Sequence, residues 1–307
     1  MIDLHLHLDG SLTPRDIVAL SRLSGTALPT TKEEELRSLL VFDGRGTLND
    51  YLKKFELPLS VMQSAEAVGC AVRSLGERLF LLGYEYAEVR FAPCLHTEKG
   101  ASIVEIVQGA IKGLEGAKTE IKLILCCMRG RGADENLRTV EAAAEYREQG
   151  VVGVDLAGAE ALYPTESYQE VFSLAAKLGL NITIHAGEAA GEDSVKAALD
   201  FGAKRIGHGV AAAKSEALLR RIKRENVLIE VCPTSNLQTG AVPSLAAHPL
   251  PLFLERGIPV ALCADNMTVS ATDVTREWEK VKRALGLSES VWSKMREAAR
   301  SHRFDPE

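Results

Sequence analysis

Two histidines one residue apart stand in the first apolar run of the chain, and their spacing suits a metal site. The segment reads Asp3-Leu-His5-Leu-His7-Leu-Asp9. Side chains alternate along a strand, so His5 and His7 face the same side. Two neutral imidazoles directed at one point are natural ligands for Zn²⁺, at about 2.0–2.1 Å each. Taken alone, a His-x-His pair also fits two packed rings that bind nothing.

Three further segments place polar, titratable side chains at the ends of predicted strands. They are His185-Ala-Gly-Glu188, Gly207-His208-Gly209 and Cys263-Ala-Asp265-Asn266. Each has a purely structural interpretation: His208 as a core histidine, and Glu188 and Asp265 as acids that cap helices. Because active-site residues lie at the C-terminal ends of barrel strands, their joint placement favours one shared site.

A catalytic zinc needs several protein ligands, an open position for water and nearby groups that move protons. We expect four residues to hold one Zn²⁺ per chain: His5, His7, His185 and Asp265. His208 would orient or deprotonate the bound water, and Glu188 would carry a proton to the substrate. The mixed His and Asp set would also accept Co²⁺, Fe²⁺ or Mn²⁺. The sequence lacks His-Glu-x-x-His, Pro-Cys-x-x-Cys and Gly-x-Ser-x-Gly patterns, which argues against other hydrolase chemistries.

Short β-rich runs alternate with amphipathic stretches along the whole chain, the pattern of repeated βα units. Eight runs are predicted as parallel strands: Ile2–His7, Tyr86–Phe91, Ile121–Met128, Val151–Leu156, Asn181–His185, Arg205–His208, Val227–Cys232 and Pro259–Cys263. Five of the helical stretches between them are Ser102–Lys118, Asp134–Gln149, Ser167–Leu178, Ser215–Glu225 and Pro249–Arg256. Eight parallel strands favour a (β/α)8 TIM barrel, with extra helices inserted between the first and second strands.

Composition sets the broad class of the protein. The 307 residues are 46% hydrophobic and 25% charged, with a formal net charge of -6. We expect a single domain over residues 1–307, in which residues 13–83 form a helical insertion over the mouth of the active site. The acidic balance argues against a nucleic-acid surface. The absence of a signal-like segment and of a long apolar run predicts a cytoplasmic protein without membrane contact.

Taken together, these motifs resemble the adenosine deaminase family of metal-dependent hydrolases, and the resemblance covers nearly the whole chain. The matching segments are His5-Leu-His7-Leu-Asp9-Gly10, Asp155-Leu-Ala-Gly158-Ala159-Glu160, His185-Ala-Gly-Glu188, Gly207-His208-Gly209, Cys232-Pro-Thr-Ser235-Asn236 and Asp265. The resemblance implies that water attacks C6 of a purine nucleoside and that the 6-amino group leaves as ammonia. It implies catalytic roles for Glu188, His208 and Asp265.

The resemblance also implies how the nucleoside is held. Substrate contacts are expected from His7, Asp9, Gly158, Asn266, Leu52 and Phe55. Among these, the Gly158 backbone would contact purine N3, and Asp9 a ribose hydroxyl. The segment Tyr51–Leu59 resembles the family's lid helix, although ordinary helix packing also explains its apolar residues. The end of the chain, residues 301–307, is brief for the family.

Two positions depart from the family pattern. Members often carry a second Asp after the metal-binding one, where this chain has Asn266. That acid must hold a proton to donate to purine N7, whereas an Asn amide donates at every pH. Ala159 stands where an acid is common, and we have no account of it. Adenosine or 2′-deoxyadenosine is the expected substrate. Two alternatives stay open: that the substrate is adenine or another 6-aminopurine nucleoside with a modified sugar, and that the protein binds purines without catalysing a reaction. The sequence leaves the oligomeric state open as well.

Overall fold

Eight parallel strands form the centre of this computed structural model, which describes residues 1–305. Pro306 and Glu307, the end of the segment expected to be brief, lie outside the described residues. The strands are β1 Ile2–His7, β2 Tyr86–Phe91, β3 Glu120–Met128, β4 Val151–Ala157, β5 Asn181–Ala186, β6 Arg205–His208, β7 Leu228–Val231 and β8 Val260–Leu262. Each pairs with its neighbours in chain order.

The sheet closes where the residues after β8 meet β1. Leu6 and Asp265 form a parallel bridge. The His7 amide donates to the Asp265 carbonyl at 2.7 Å, and the Asp265 amide donates to the His5 carbonyl at 2.9 Å. These bonds join the first strand to the last, so the predicted TIM barrel is confirmed. They also fix the backbone of two histidines against that of an aspartate.

Fourteen α-helices are described around the strands. They are α1 Pro14–Ser24, α2 Glu33–Leu40, α3 Leu48–Leu52, α4 Glu56–Val61, α5 Ala65–Leu81, α6 Ile103–Gly113, α7 Ala133–Glu145, α8 Gln169–Lys177, α9 Glu192–Asp200, α10 Glu216–Arg224, α11 Pro233–Gln238, α12 Leu250–Glu255, α13 Val274–Leu285 and α14 Glu289–Ser301. Among the residues described, no helix is long and apolar enough to span a bilayer.

Some element ends differ from the sequence prediction. The helix expected to reach Lys118 ends at Gly113, and Gly116 then adopts a left-handed φ of 75° that turns the chain. The seventh strand ends one residue early because the chain bends at Cys232 and enters α11 at Pro233. Such shifts of one or two residues at element ends are expected, whereas the five-residue overshoot comes from reading past a glycine turn.

The inserted helices α1 to α5 occupy most of the chain between β1 and β2. The lid-like segment is broken into α3, a 3₁₀ turn at Lys53–Phe55, and α4. A capping box starts α3: the Thr47 hydroxyl accepts from the Asp50 amide, and the Asp50 carboxylate accepts from Thr47. The capping box sets where α3 begins, so the apolar face that follows points in a defined direction. The single-domain organisation stays a prediction.

Candidate active site

The four predicted metal ligands lie together at the C-terminal end of the barrel. His5 and His7 come from β1, His185 from β5, and Asp265 from the turn after β8. One ligand atom from each lies within 4.8 Å of the others. These residues are far apart in sequence and converge because the barrel brings its strand ends to one face.

The spacing of these side chains, and the neutral form of two of the histidines, fit a divalent metal. The Nε2 atoms of His7 and His185 are 3.1 Å apart, close to the separation of two ligands bound about 2.0–2.1 Å from one Zn²⁺. The buried His5 Nε2 has no hydrogen-bond partner among the described residues. Burial lowers the pKa of His7 and His185, which keeps both rings in the neutral form that binds metal.

Two buried carboxylates orient the histidine rings. His5 Nδ1 lies 2.7 Å from Glu230, and His185 Nδ1 lies 2.8 Å from Asp155. When each Nδ1–H donates to its carboxylate, the Nε2 lone pair is left facing the cluster. Arg90 pairs with both acids, at 2.9 Å from Asp155 and 3.0 Å from Glu230. Burial alone would raise the pKa of Asp155, but His185 and Arg90 hold it well below its usual range.

The backbone is strained at two of the predicted site residues. His208 has a φ of 64° and Asp265 a φ of 60°, in the left-handed region that non-glycine residues rarely adopt. Strain of this kind costs on the order of 1–3 kcal/mol per residue and persists only where the surroundings enforce it. Here the conformation turns each side chain at a strand end into the barrel mouth.

A chain of hydrogen bonds fixes which nitrogen of His208 carries the proton. The Leu250 amide can only donate, so His248 Nδ1 accepts from it at 3.1 Å. Burial lowers the pKa of His248 to about 4, and the neutral ring therefore donates from Nε2 to Asn236 Oδ1, at 3.2 Å. The Asn236 amide group then donates to His208 Nδ1, at 2.9 Å. Neutral His208 consequently presents an Nε2–H donor to the site.

Glu188 is a buried carboxyl group in the same mouth. Burial, reinforced by the charge of Asp265, raises its pKa to about 8. The Thr239 hydroxyl donates to Glu188 Oε1 at 2.9 Å, and Oε2 lies 3.6 Å from His208 Nε2. At neutral pH Glu188 therefore holds a proton that it can deliver to a bound molecule, which is the property of a general acid.

Glu160 holds the loop that carries Glu188. Its carboxylate accepts four consecutive backbone N–H groups, those of residues 187 to 190, at 2.6–3.0 Å. It also accepts from the Ser194 hydroxyl. Only 2% of Glu160 is exposed. Bonds to a charged acceptor are about twice as strong as neutral ones, so this carboxylate fixes the path of the loop and the position of Glu188.

One cavity joins the four-ligand cluster to the inserted helices. Its lining includes the predicted residues His7, Asp9, Leu52, Phe55, Gly158, His185, Glu188, His208, Asp265 and Asn266. The rest of the lining is largely apolar and contains no Lys or Arg: Leu48, Tyr51, Leu59, Ala92, Leu95, Cys126, Met128, Ala157 and Ser235. Burial raises the pKa of Asp9 to about 6. The cavity therefore offers acids and apolar surface to a ligand.

Several residues support the site in roles that the sequence analysis did not predict, although some of them stand in the matching motifs. Asp155 and Glu230 carried a usable signal, because each is an acid inside an otherwise apolar strand run. Such an acid must be paired when the strand is buried. Glu160 ends a matching family motif, but nothing in the sequence indicated its partners, and His248 gave no signal. Their partners lie in other loops, and only the folded chain brings them together.

Comparisons with known proteins identify the family of this chain. The family model for adenosine deaminase matches residues 1–307. An adenosine deaminase from Haemophilus ducreyi is 45% identical over 298 residues, covering 94% of this chain and 87% of the relative. The solved adenine deaminase from Arthrobacter aurescens superposes with a TM-score of 0.89 at 27% identity, covering 100% of this chain and 94% of that one. The N6-methyl-AMP deaminase from Arabidopsis thaliana gives 0.87 at 26% identity, with 100% and 92% covered. This chain belongs to the adenosine deaminase family.

Proposed function

We propose that this protein hydrolyses adenosine and 2′-deoxyadenosine to inosine and 2′-deoxyinosine, with release of ammonia. The observation that carries the proposal is a buried carboxyl group, Glu188, whose pKa burial raises, in one cavity with four side chains that can hold a metal ion. The high identity to an adenosine deaminase over most of both chains supports the substrate. A purine-binding protein without activity would have no need for such an acid beside such a cluster.

We further propose that one Zn²⁺ per chain is held by His5, His7, His185 and Asp265. Three imidazoles and one carboxylate suit zinc, and other divalent first-row metals are compatible with the same donors. When bound there, the metal supplies a water of lowered pKa, available near neutral pH as a hydroxide-like nucleophile. The carboxylates Glu230 and Asp155 hold the rings of His5 and His185 in the orientation in which they would bind the ion.

The protein's own residues would handle the protons and the orientation. Glu188 donates its proton to purine N1, which lets C6 accept the attacking oxygen. The Nε2–H of His208 donates a hydrogen bond to that oxygen and so orients it. The hydrogen bond from Asn236 makes this orienting role a better assignment than the alternative, in which His208 deprotonates the water. Asp9 and the backbone of Gly158 would hold the ribose and purine N3.

The cavity favours a nucleoside over a nucleotide. Its lining has no Lys or Arg but includes the acids Asp9, Glu188 and Asp265. At the sugar end of the cavity a phosphate group would meet Asp9 and no Lys or Arg side chain to pair it, which is unfavourable inside a cavity. Leu52 and Phe55 of the inserted helices supply apolar surface for the base and the sugar. Free adenine, or an adenosine with a modified sugar, is the second candidate, because a solved adenine deaminase shares the fold at 27% identity.

The experiment is a spectrophotometric screen of the zinc-loaded protein. Adenosine, 2′-deoxyadenosine, adenine, sugar-modified adenosines and AMP are compared, with and without prior chelation. Fast, chelator-sensitive loss of the 6-amino chromophore with the two nucleosides supports the proposal. Faster turnover of adenine or a modified nucleoside would replace the substrate and keep the chemistry. The predicted cytoplasmic location is part of the proposal, and cell fractionation tests it.

A further inference from the structure

A second cavity, of about 330 Å³, is lined by residues of α1, α2, α5 and α13. Four arginines line it, Arg15, Arg37, Arg78 and Arg276, together with a single acid, Glu33. We propose that this cavity binds a phosphate group, as the free ion or as part of a small phosphate ester. It shares no lining residue with the cavity of the proposed active site, so the inference does not depend on the proposed function.

The charge of this lining contrasts with that of the whole chain. Four guanidinium groups against one carboxylate leave the lining positive, whereas the chain carries a formal net charge of -6. A local excess of one sign raises the concentration of ions of the opposite sign. The planar fork of donors on a guanidinium group matches the oxygens of a phosphate and can bind two of them at once. The ligand class that suits this lining is therefore a phosphate.

Arg78 is partly buried and forms no ion pair with a carboxylate among residues 1–305. It donates only from Nη2, to the Ser11 carbonyl at 2.5 Å and to Met267 Sδ at 3.4 Å. Its Nε is enclosed without a partner, whereas Nη1 makes no hydrogen bond and is not enclosed, so Nη1 can reach a ligand. Burial lowers the pKa of Arg78, and the charges of Asp16 and Asp273 offset this only in part. A bound anion would supply the charge that this guanidinium lacks.

Backbone contacts hold Arg78 at the cavity before any ligand binds. The Ser11 carbonyl, which accepts from Arg78, belongs to a residue whose Oγ accepts from the Met267 amide at 3.2 Å. The neighbouring Gly10 carbonyl accepts from the Thr268 amide at 3.0 Å. Because these bonds already fix the side chain, little ordering is needed when an anion binds, which favours affinity.

The other three arginines surround the same space. Arg37 is exposed and forms no ion pair in the part of the chain that the structure describes. Arg15 lies 3.4 Å from Glu33, and Arg276 lies 3.2 Å from Asp273. Ion pairs of exposed arginines are weak, so both side chains can turn to a phosphate. A cavity of about 330 Å³ is within the range of small-molecule sites, roughly 300–1,000 Å³, and leaves room for an organic group beside the phosphate.

Isothermal titration calorimetry tests the binding directly. Inorganic phosphate and ribose 5-phosphate are titrated into the unsubstituted protein, with ribose and with potassium chloride at equal ionic strength as controls. We expect saturable binding of the phosphates at one per chain, weakened by added salt because exposed charges are screened. Tighter binding of ribose 5-phosphate would show that the site takes a phosphate ester, and equal binding would show that it recognises the phosphate alone.

Two variants locate the site. Arg78→Gln should weaken phosphate binding roughly 10–100-fold, the effect of losing a hydrogen bond between charged groups. Arg37→Gln removes an exposed cation, and a weakening of about 3–5-fold is expected. Arg283→Gln is the matched control for Arg37→Gln, since Arg283 is also exposed and without an ion pair among the described residues but lies on α13 outside the cavity.

Arg37→Gln keeps the inference testable if Arg78→Gln fails to fold, because Arg37 makes no hydrogen bond or ion pair within residues 1–305. The absence of saturable binding of either phosphate above the chloride control would overturn the inference. Phosphate binding that Arg37→Gln and Arg283→Gln change equally would overturn it as well, because the anion would then lie elsewhere, for example at the metal cluster.

Discussion

The Glu160→Gln substitution tests whether Glu160 contributes to the reaction by holding Glu188 in position. Glu160 Oε2 accepts from the amides of Glu188, Ala189 and Ala190, and Oε1 accepts from Gly187 and Ser194. Glutamine keeps one oxygen and places an NH₂ group at the other position. With the oxygen at the three-amide position, the Gly187 N–H loses its acceptor.

The magnitude follows from these contacts. An unsatisfied buried N–H costs about 1–3 kcal/mol. The three remaining bonds weaken as well, because the acceptor no longer carries a charge. We expect the loop to lose about 2–3 kcal/mol of support, and at about 1.4 kcal/mol per tenfold the corresponding loss in kcat is roughly 30–140-fold. The KM for adenosine should stay within about threefold, because Glu160 does not line the cavity.

Steady-state kinetics across pH separates positioning from simple stability. The charge of Glu160 is one of the causes that raise the pKa of Glu188, after burial and Asp265. Its removal should therefore shift the alkaline limb of the kcat profile to lower pH. Glu166→Gln, an exposed acid six residues later, is the matched control. A Glu160→Gln variant that unfolds at lower temperature, yet keeps kcat and the pH profile, would refute this reasoning.

Three further predictions concern the proton-handling residues. Glu188 must be protonated to act, and its pKa is raised to about 8, so kcat should be full below that pH and fall as the pH rises through it. Glu188→Gln should lower kcat by roughly 10²–10⁴-fold with metal content unchanged. Retained activity in that variant would exclude Glu188 as the acid. Asn236→Asp replaces the donor facing His208 Nδ1 with an acceptor, which should move the His208 proton to Nδ1. The site then loses the Nε2–H donor, and kcat should fall about 100-fold, the usual cost of removing one donor to a developing charge. Nitrogen NMR of His208 checks the tautomer, and an unshifted Nε2–H signal would contradict the relay through His248.

The sequence carried the parts of the site that depend on local pattern. His5 and His7 follow from strand alternation, and His185, His208 and Asp265 from their places at strand ends. Their proximity could be predicted because the C-terminal ends of all strands lie on one face of a barrel. The structure places them together, while their individual roles stay predictions.

Other features depend on distances that no local pattern encodes. Glu160 and the loop at Gly187 are separated by two elements of the barrel, and Asn236 on α11 contacts His208 at the end of β6 although 28 residues separate them. The direction of the hydrogen bond between Tyr51 and Ser270 depends on Gln238, nearly two hundred residues from Tyr51 in the chain. Hydrogen-bond direction is therefore the part of the site that sequence analysis could not supply.

Four residues are proposed to hold one metal ion that supports deamination of adenosine. The most direct test titrates chelated protein with Zn²⁺ while ammonia release from adenosine is followed. We predict that activity rises linearly to one Zn²⁺ per chain and then stops rising, and that His5→Ala abolishes the rise. Ammonia release that needs no metal, or zinc binding at one per chain without ammonia release, would contradict the account.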